Sequence, residues 1–445
     1  MTPPLSSRSG KKAPVLGLTT LICLIIANMI GAGVYTTSGF ALSDLGSPDR
    51  VMAAWVVGGI IAICGAVSYG GLVRHITDSG GEYLFLSRII HPVAGFIAGW
   101  VSFLAGFTGA IAFAARAFET YAFPTRPDWL PNGAAAAAIV ALSAFLHGIR
   151  VEAGAVSQNV AVGIKVTLIV GFLCFAAWVA TSQGAAPAPV GIAPFSLPVF
   201  AGSLVWISLS YSGFNAAVYV AGEAKDAQRN APRALWTGTI IVTVLYLALN
   251  AAFVYLPPLE TVQGKEDVAA QAAMAIGGAP AALAIRFIIL LSLTTSVFSL
   301  VMAGPRVYAR MADDGVFPRV FRFKDGAPTA AIMLQAAFAI AVIAIADLKD
   351  LLSYLGFTLS MTAALTVASL FVLHARGGRK AVSVWGYPFT PIIYVGATLA
   401  LAAIAGSRAP MELLTALITI ISGSVVFYAF GLQTAATSTT GPGRS

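Results

Sequence analysis

Charge is what this chain has least of. Only 10% of its 445 residues are Asp, Glu, Lys or Arg, against about 25% in a soluble globular protein. So few charges cannot solvate the surface of a chain this long, which excludes a soluble enzyme or binding domain. Cysteine is also scarce. Cys23, Cys64 and Cys174 all fall in apolar stretches, and no Cys-x-x-Cys occurs, so disulfide-scaffold and zinc readings fail. The histidines His75, His91, His147 and His374 sit near the ends of apolar runs, and no His/Glu grouping has metal-ligand spacing. No metal and no cofactor is expected. The Gly-x-Gly at Gly31 and Gly33 lacks the further glycine and the downstream acid of a dinucleotide fingerprint. No cleavable leader is expected either: the first residues, to Lys12, are polar and basic, and the first apolar run is too long for a signal h-region.

What is present is apolar surface, 58% of the residues. Apolar runs fall near 15–41, 51–73, 93–121, 132–147, 156–181, 199–221, 233–256, 280–303, 328–346, 351–374, 388–406 and 411–432. The pattern predicts an all-α polytopic membrane protein with about twelve transmembrane helices, the fourth of them short. The net charge of +8 invites a nucleic-acid reading. The basic residues, however, lie in short loops on one side: Arg8, Lys11, Lys12, Arg74, Arg88, Arg150, Lys225, Arg229, Arg233, Arg306, Arg310, Arg319, Arg322, Lys324, Arg376, Arg379 and Lys380. The other side holds Arg50, Arg126, Lys265, Lys349 and Arg408, with Arg116 and Arg286 at helix ends. That asymmetry predicts cytoplasmic termini rather than a phosphate-binding face.

Two spans carry irregularities at mid-depth. The first contains Ile30-Gly-Ala-Gly-Val-Tyr35. Each glycine weakens a helix by roughly 1 kcal/mol relative to alanine, and a break in lipid is tolerated only where the freed amides and carbonyls line a protein cavity. The positive end of a half-helix there can hold a carboxylate. The sixth span reads Trp206-Ile-Ser-Leu-Ser-Tyr-Ser-Gly-Phe-Asn215, with hydroxyls, a glycine and an amide at its middle. Two interrupted helices five spans apart point to an inverted-repeat transporter with a midplane site. Lys165 lies about nine residues into the fifth span, where a charge costs at least about 2.5 kcal/mol and marks function by default. Burial disfavours the charged form of an amine, so this lysine is a candidate for proton coupling or a fixed internal cation. Arg116 and Glu119 have the spacing of a local i, i+3 pair.

Several motifs, in order, resemble those of the amino acid–polyamine–organocation (APC) superfamily. They are Ile30–Tyr35, Ser79-Gly-Gly-Glu-Tyr-Leu84, Gly95-Phe-Ile-Ala-Gly-Trp100, Glu223–Arg233 and Arg306–Pro318. The nearest pattern is that of bacterial L-type exchanger-like members. The resemblance implies a leucine-transporter-type 5+5 inverted repeat with helices 1 and 6 broken. Its halves would be 13–181 and 199–375, followed by helices 11–12 at 388–432, between cytoplasmic tails at 1–12 and 433–445.

The same resemblance implies a substrate site. The amides of Gly31, Ala32 and Gly33 would hold the substrate carboxylate. The carbonyls of Met29, Leu209 and Ser212 would accept the α-ammonium, with Ser210 between them. Ala105, Gly106, Ala110 and Ser299 match wall positions. Leu209 departs from relatives with a gating aromatic there. Asn215 stands where cation-selective relatives carry an acid, which favours a neutral substrate because an unpaired buried charge is costly. Lys165 would stand in for the sodium ion held between helices 1 and 8 of relatives, which argues against sodium coupling, and Glu223 would pair with a basic residue in a cytoplasmic gate. The loop Ala122–Pro131 has no cysteine, so no covalent heavy-chain partner is expected, and no nucleic-acid partner. The expected function is secondary active transport of amino acids, neutral L-amino acids foremost, across a bacterial inner membrane by alternating access. Coupling would be by protons or by exchange. The alternative is a carrier of cationic amino acids or polyamines. A membrane enzyme, receptor or channel would need a catalytic cluster, an extramembrane domain or a symmetric pore, and the sequence offers none of these.

Overall fold

A chain this poor in polar groups must satisfy its backbone within each segment, and in lipid helices do so. The computed structural model describes residues 15–123, 125–149, 151–183, 194–323, 328–345, 348–378, 382–408 and 410–430. The tails at 1–12 and 433–445, and Arg150, Lys324, Arg379 and Lys380, lie outside the described residues. Among the described residues the regular structure is helical, apart from one isolated parallel bridge between Leu16 and Ala224.

The order is α1 (Leu18–Met29), α2 (Gly33–Leu45), α3 (Pro48–His75), α4 (Gly81–Ile89), α5 (Pro92–Val101), a π-helical segment (Ser102–Gly109), α6 (Ala110–Ala122), α7 (Ala134–Ile149) and α8 (Val151–Gln183). Then follow α9 (Leu197–Ser210), α10 (Ala216–Tyr219), α11 (Ala227–Tyr255), α12 (Leu259–Val262), α13 (Val268–Ala303) and α14 (Pro305–Asp313). The last are α15 (Thr329–Ile345), α16 (Leu348–Gly377), α17 (Phe389–Arg408) and α18 (Pro410–Ala429). Seven helical stretches are long and apolar enough to cross a membrane, and α1 with α2 forms a pair bent by 41°. Shorter apolar helices run over Ala134–Gly148, Leu197–Ser210, Thr329–Ile345 and Leu413–Ala429. The chain is an all-helical polytopic membrane protein.

Helix boundaries follow local chemistry. Gly46, at φ +63°, ends α2 in the left-handed conformation that glycine adopts without penalty. Pro48, Pro92 and Pro305 occupy first turns, where their missing amide costs no bond. Gly277 and Gly278 leave helical geometry inside α13, so a kink sets its first turns off from the stretch that begins at Pro280. The third span is continuous, but its middle is π-helical, a device that is frequent at functional sites.

Position in the bundle follows composition. The apolar window of α8 is 28% buried and that of α13 is 72%, so α8 lies at the perimeter and α13 inside. Outward-facing Trp178, Leu283, Phe287 and Ile421 are exposed, as lipid-facing side chains must be. Helix α1 packs against α8, α11 and α13; α9 packs against α2, α3 and α17. The two interrupted helices are thereby enclosed.

Arg116 and Glu119 do not pair with each other. The Glu119 carboxylate accepts from the amides of Gly133 (2.7 Å) and Ala136 (3.0 Å), and Arg116 donates to Asn132 Oδ1 (2.7 Å). The reason is the start of α7: its first amides have no partner within their own helix, and a buried acid satisfies two of them.

Candidate functional site

Helix α1 ends at Met29 and α2 starts at Gly33, leaving three residues between them. The first amides of α2 have no acceptor in their own helix. Helix α9 ends at Ser210, and Tyr211–Asn215 form turns before α10; the last carbonyls of α9 likewise lack helical donors. The two breaks touch, and glycine permits it. A Cβ on Gly33 would lie 3.0 Å from the Ser210 Cα and closer still to its side chain. Gly213 has φ +98°, and a Cβ there would meet the Asn28 carbonyl oxygen at 2.9 Å. Gly31 differs: a Cβ there would meet only Ser296 Oγ, at 3.7 Å.

Tyr246 from α11 joins the breaks. Its hydroxyl lies 2.5 Å from the Met29 carbonyl oxygen and 3.0 Å from that of Ser210, and its one proton serves one of them at a time. The ring packs against Trp55 and Tyr211. Asn250, one turn on, donates to the Tyr246 carbonyl and accepts from Ser38, which accepts from Trp55. The hydroxyl is therefore held in place from α2, α3 and α11. Tyr246→Phe leaves a buried carbonyl short of a donor, at about 1–3 kcal/mol. Substrate affinity should fall by roughly tenfold in a binding titration on purified protein; unchanged affinity would remove Tyr246 from the site.

A cavity of about 570 Å³ opens beside the breaks, within the roughly 300–1,000 Å³ of small-molecule sites. Met29, Gly31, Ala32, Gly33, Gly106, Ala110, Leu209, Ser210, Ser212 and Asn215 line it. Ala105 and Ser299 are not among its lining. Ala105 is buried in a small cluster with Val101, and Ser299 is buried with its hydroxyl toward the Leu24 carbonyl (3.4 Å). The Met29 carbonyl already accepts from Gly31 N (2.9 Å) as well as from Tyr246. Ser210 Oγ lies 3.0 Å from Thr37 Oγ1.

Lys165 also lies outside the lining. It is fully buried, and its Nζ donates to Thr295 Oγ1 on α13 (2.9 Å) and toward the Ile30 carbonyl (3.5 Å). The ammonium thus bridges the first break to α13 from behind. Glu223 lies beyond the second break in a bidentate pair with Arg306: Nε to Oε1 at 2.5 Å and Nη2 to Oε2 at 2.8 Å. Arg306 is buried. Next to it, Leu16 N donates to the Glu223 carbonyl (3.0 Å) and Lys225 N to that of Leu16 (2.9 Å). The chain is doubly fastened at that end.

Three polar residues of the site escape sequence reasoning. Glu82 is 3% exposed, lines the cavity, and accepts from Tyr69 and from Asn215 Nδ2 (3.2 Å). Its signal lay inside the motif Ser79–Leu84, whose end forms the start of α4. Asn215, where an acid is missing, therefore has an acid as its neighbour. Arg306 opened a motif without being assigned to Glu223. Tyr246 carried no signal, being one aromatic among many in an apolar run.

A family model described as "Amino acid permease" matches residues 16–433. The chain is 25% identical over 437 residues to the b(0,+)-type amino acid transporter 1 of Mus musculus, covering 93% of this chain and 87% of that protein. It is 24% identical over 393 residues to the serine/threonine exchanger SteT of Bacillus subtilis (strain 168), covering 85% and 88%. To the large neutral amino acids transporter small subunit 2 of Homo sapiens it is 25% identical over 380 residues, covering 80% and 69%.

Proposed function

From the premise that this chain belongs to the amino acid permease family, we propose that it is a secondary transporter that binds amino acids at the two breaks. It moves them across the membrane by alternating access. One observation carries the reading: two broken helices, held against each other by Gly33 and Gly213, present amides and carbonyls to one cavity. The amides of Ala32, which caps α2, and of Gly33 hold the carboxylate, and carbonyls at the ends of α1 and α9 hold the ammonium. The Tyr246 hydroxyl, within reach of both the Met29 and the Ser210 carbonyl, holds the two breaks in register around the ammonium. Recognition through backbone groups selects the zwitterion and leaves the side chain to Gly106, Ala110 and Leu209. Those three walls carry no charge, and the Glu82 carboxylate of the lining is taken up by Tyr69 and Asn215, which favours neutral amino acids.

In this reading the breaks in α1/α2 and α9/α10 occupy matching positions of a 5+5 inverted repeat. The Glu223–Arg306 pair and the Leu16–Ala224 bridge close the cytoplasmic side, where the positive-inside rule also places the chain ends in a bacterial inner membrane. Lys165 is a fixed internal cation behind the first break. The test is a counterflow screen of labelled amino acids in proteoliposomes. Neutral amino acids should exchange, small and polar ones included. No counterflow of any amino acid or amine would sink the reading.

A further inference from the structure

The cavity contains one carboxylate whose charge nothing in its surroundings balances. Glu82 stands in the first turn of α4, nearly fully buried, with its side chain on the cavity wall. The groups that face it are the Tyr69 phenol from α3, the Asn215 amide at the second break, the Thr362 hydroxyl from α16, and the Tyr219 and Tyr394 phenols from α10 and α17. Among the described residues no Lys, Arg or His forms an ion pair with it. Lys165 is committed elsewhere, to Thr295 and Ile30.

Charge counting then restricts what the cavity can do. A neutral amino acid is a zwitterion and brings no net charge. With Glu82 ionised, the closed, loaded cavity would hold a buried carboxylate with no ion-pair partner, which is costly. With Glu82 protonated that cost is absent. Water changes the balance. The start of α4 and the donors around Glu82 favour the anion once solvent reaches it.

In the transporter reading, Glu82 stands between the cavity and the closed cytoplasmic end. One face is on the cavity. The other belongs to an α4 start that packs on the fastened end of the chain: Gly81 abuts the Tyr219 ring, and Ser79 Oγ accepts from Gly222 N at 3.0 Å, one residue before Glu223. Opening that end uncovers α4.

We propose that Glu82 is the coupling-proton site of this protein. Its carboxylate takes a proton from water on one side, crosses the closed state as the neutral acid beside the bound zwitterion, and returns the proton to water on the other. Asn215 ties the two cargoes, since it belongs to the second break and donates to Glu82 Oε1. The proposal rests on the transporter reading above and adds proton coupling to it.

The test uses the full chain in proteoliposomes with a pH-sensitive dye inside and a neutral amino acid that gives counterflow. With wild-type protein, substrate entry should acidify the lumen, and an imposed one-unit pH gradient should drive about tenfold accumulation with one proton coupled. In E82Q, acidification and gradient-driven accumulation should be lost relative to whatever counterflow the variant itself supports; E82D should restore both. E82Q that accumulates like wild type overturns the proposal. So does wild-type counterflow with no proton movement, which leaves the transporter reading standing. Loss of cationic amino acid binding in E82Q, with gradient-driven uptake of neutral ones intact, would make Glu82 a counter-ion for substrate side chains and likewise overturn it. If E82Q is inactive throughout, the wild-type dye signal and E82D decide.

Discussion

Gly33→Leu should abolish substrate binding and transport in a protein that still inserts into the membrane. The expectation follows from where a side chain would go. A first carbon on Gly33 already lies 3.0 Å from the Ser210 Cα, so the obstacle is the backbone of the second break and not a rotatable side chain. Overpacking a close contact costs about 1–3 kcal/mol even for extra methylenes, and leucine adds three carbons beyond that first one. The cost is met by parting the breaks, which takes the α2 amides away from the α9 carbonyls. Insertion is set by the apolarity of the spans, which a leucine raises. The control is Gly31→Ala. Its Cβ would meet only Ser296 Oγ at 3.7 Å, so binding should stay within about threefold, less than 1 kcal/mol. Binding titration and counterflow on purified, monodisperse variants give the comparison. Full transport by Gly33→Leu would place the substrate elsewhere in the cavity.

The contrast between these two glycines shows where sequence reading stops. Both stand in one motif, and the motif located the first break. Which of them is essential for contact depends on Ser210, 177 positions away, and no local pattern encodes that. Hydropathy made the helical fold legible because lipid demands long apolar runs. It could not reveal the π-helical turns of the third span, since Ser102–Gly109 is as apolar as its flanks. Spacing suggested an Arg116–Glu119 pair. The buried amides of α7 were better partners, and they became neighbours only through the fold. Glu82 is the most instructive omission. An acid beside a Gly-Gly pair reads as a solvated loop, whereas the chain turns there and drives α4 back into the bundle. Lys165 was legible for the opposite reason: deep in an apolar run, a lysine has no bland explanation.

Lys165→Met should lower transport by more than about tenfold at every pH, through lost charge and not lost volume. Methionine fills most of the space of the lysine stem, so a packing cost is largely avoided. What disappears is the ammonium that donates to Thr295 Oγ1 and reaches the Ile30 carbonyl. Ile30 caps the end of α1, so its carbonyl is at the negative end of a half-helix. A cation there contributes about 0.3–2 kcal/mol, and a buried carbonyl left without a donor costs about 1–3 kcal/mol. Both effects act on the first break from behind, outside the cavity. The substrate still finds its amides, but the break no longer has a fixed geometry. Lys165→Ala should fall further, because it adds a void. The response of residual transport to an imposed pH gradient should keep its wild-type shape, since the proton is assigned to Glu82. Transport assays across a pH series, with monodispersity as the folding control, read both effects. Wild-type transport rates in Lys165→Met would show that the break needs no ammonium. Normal counterflow with a lost gradient response would move the coupling proton from Glu82 to Lys165.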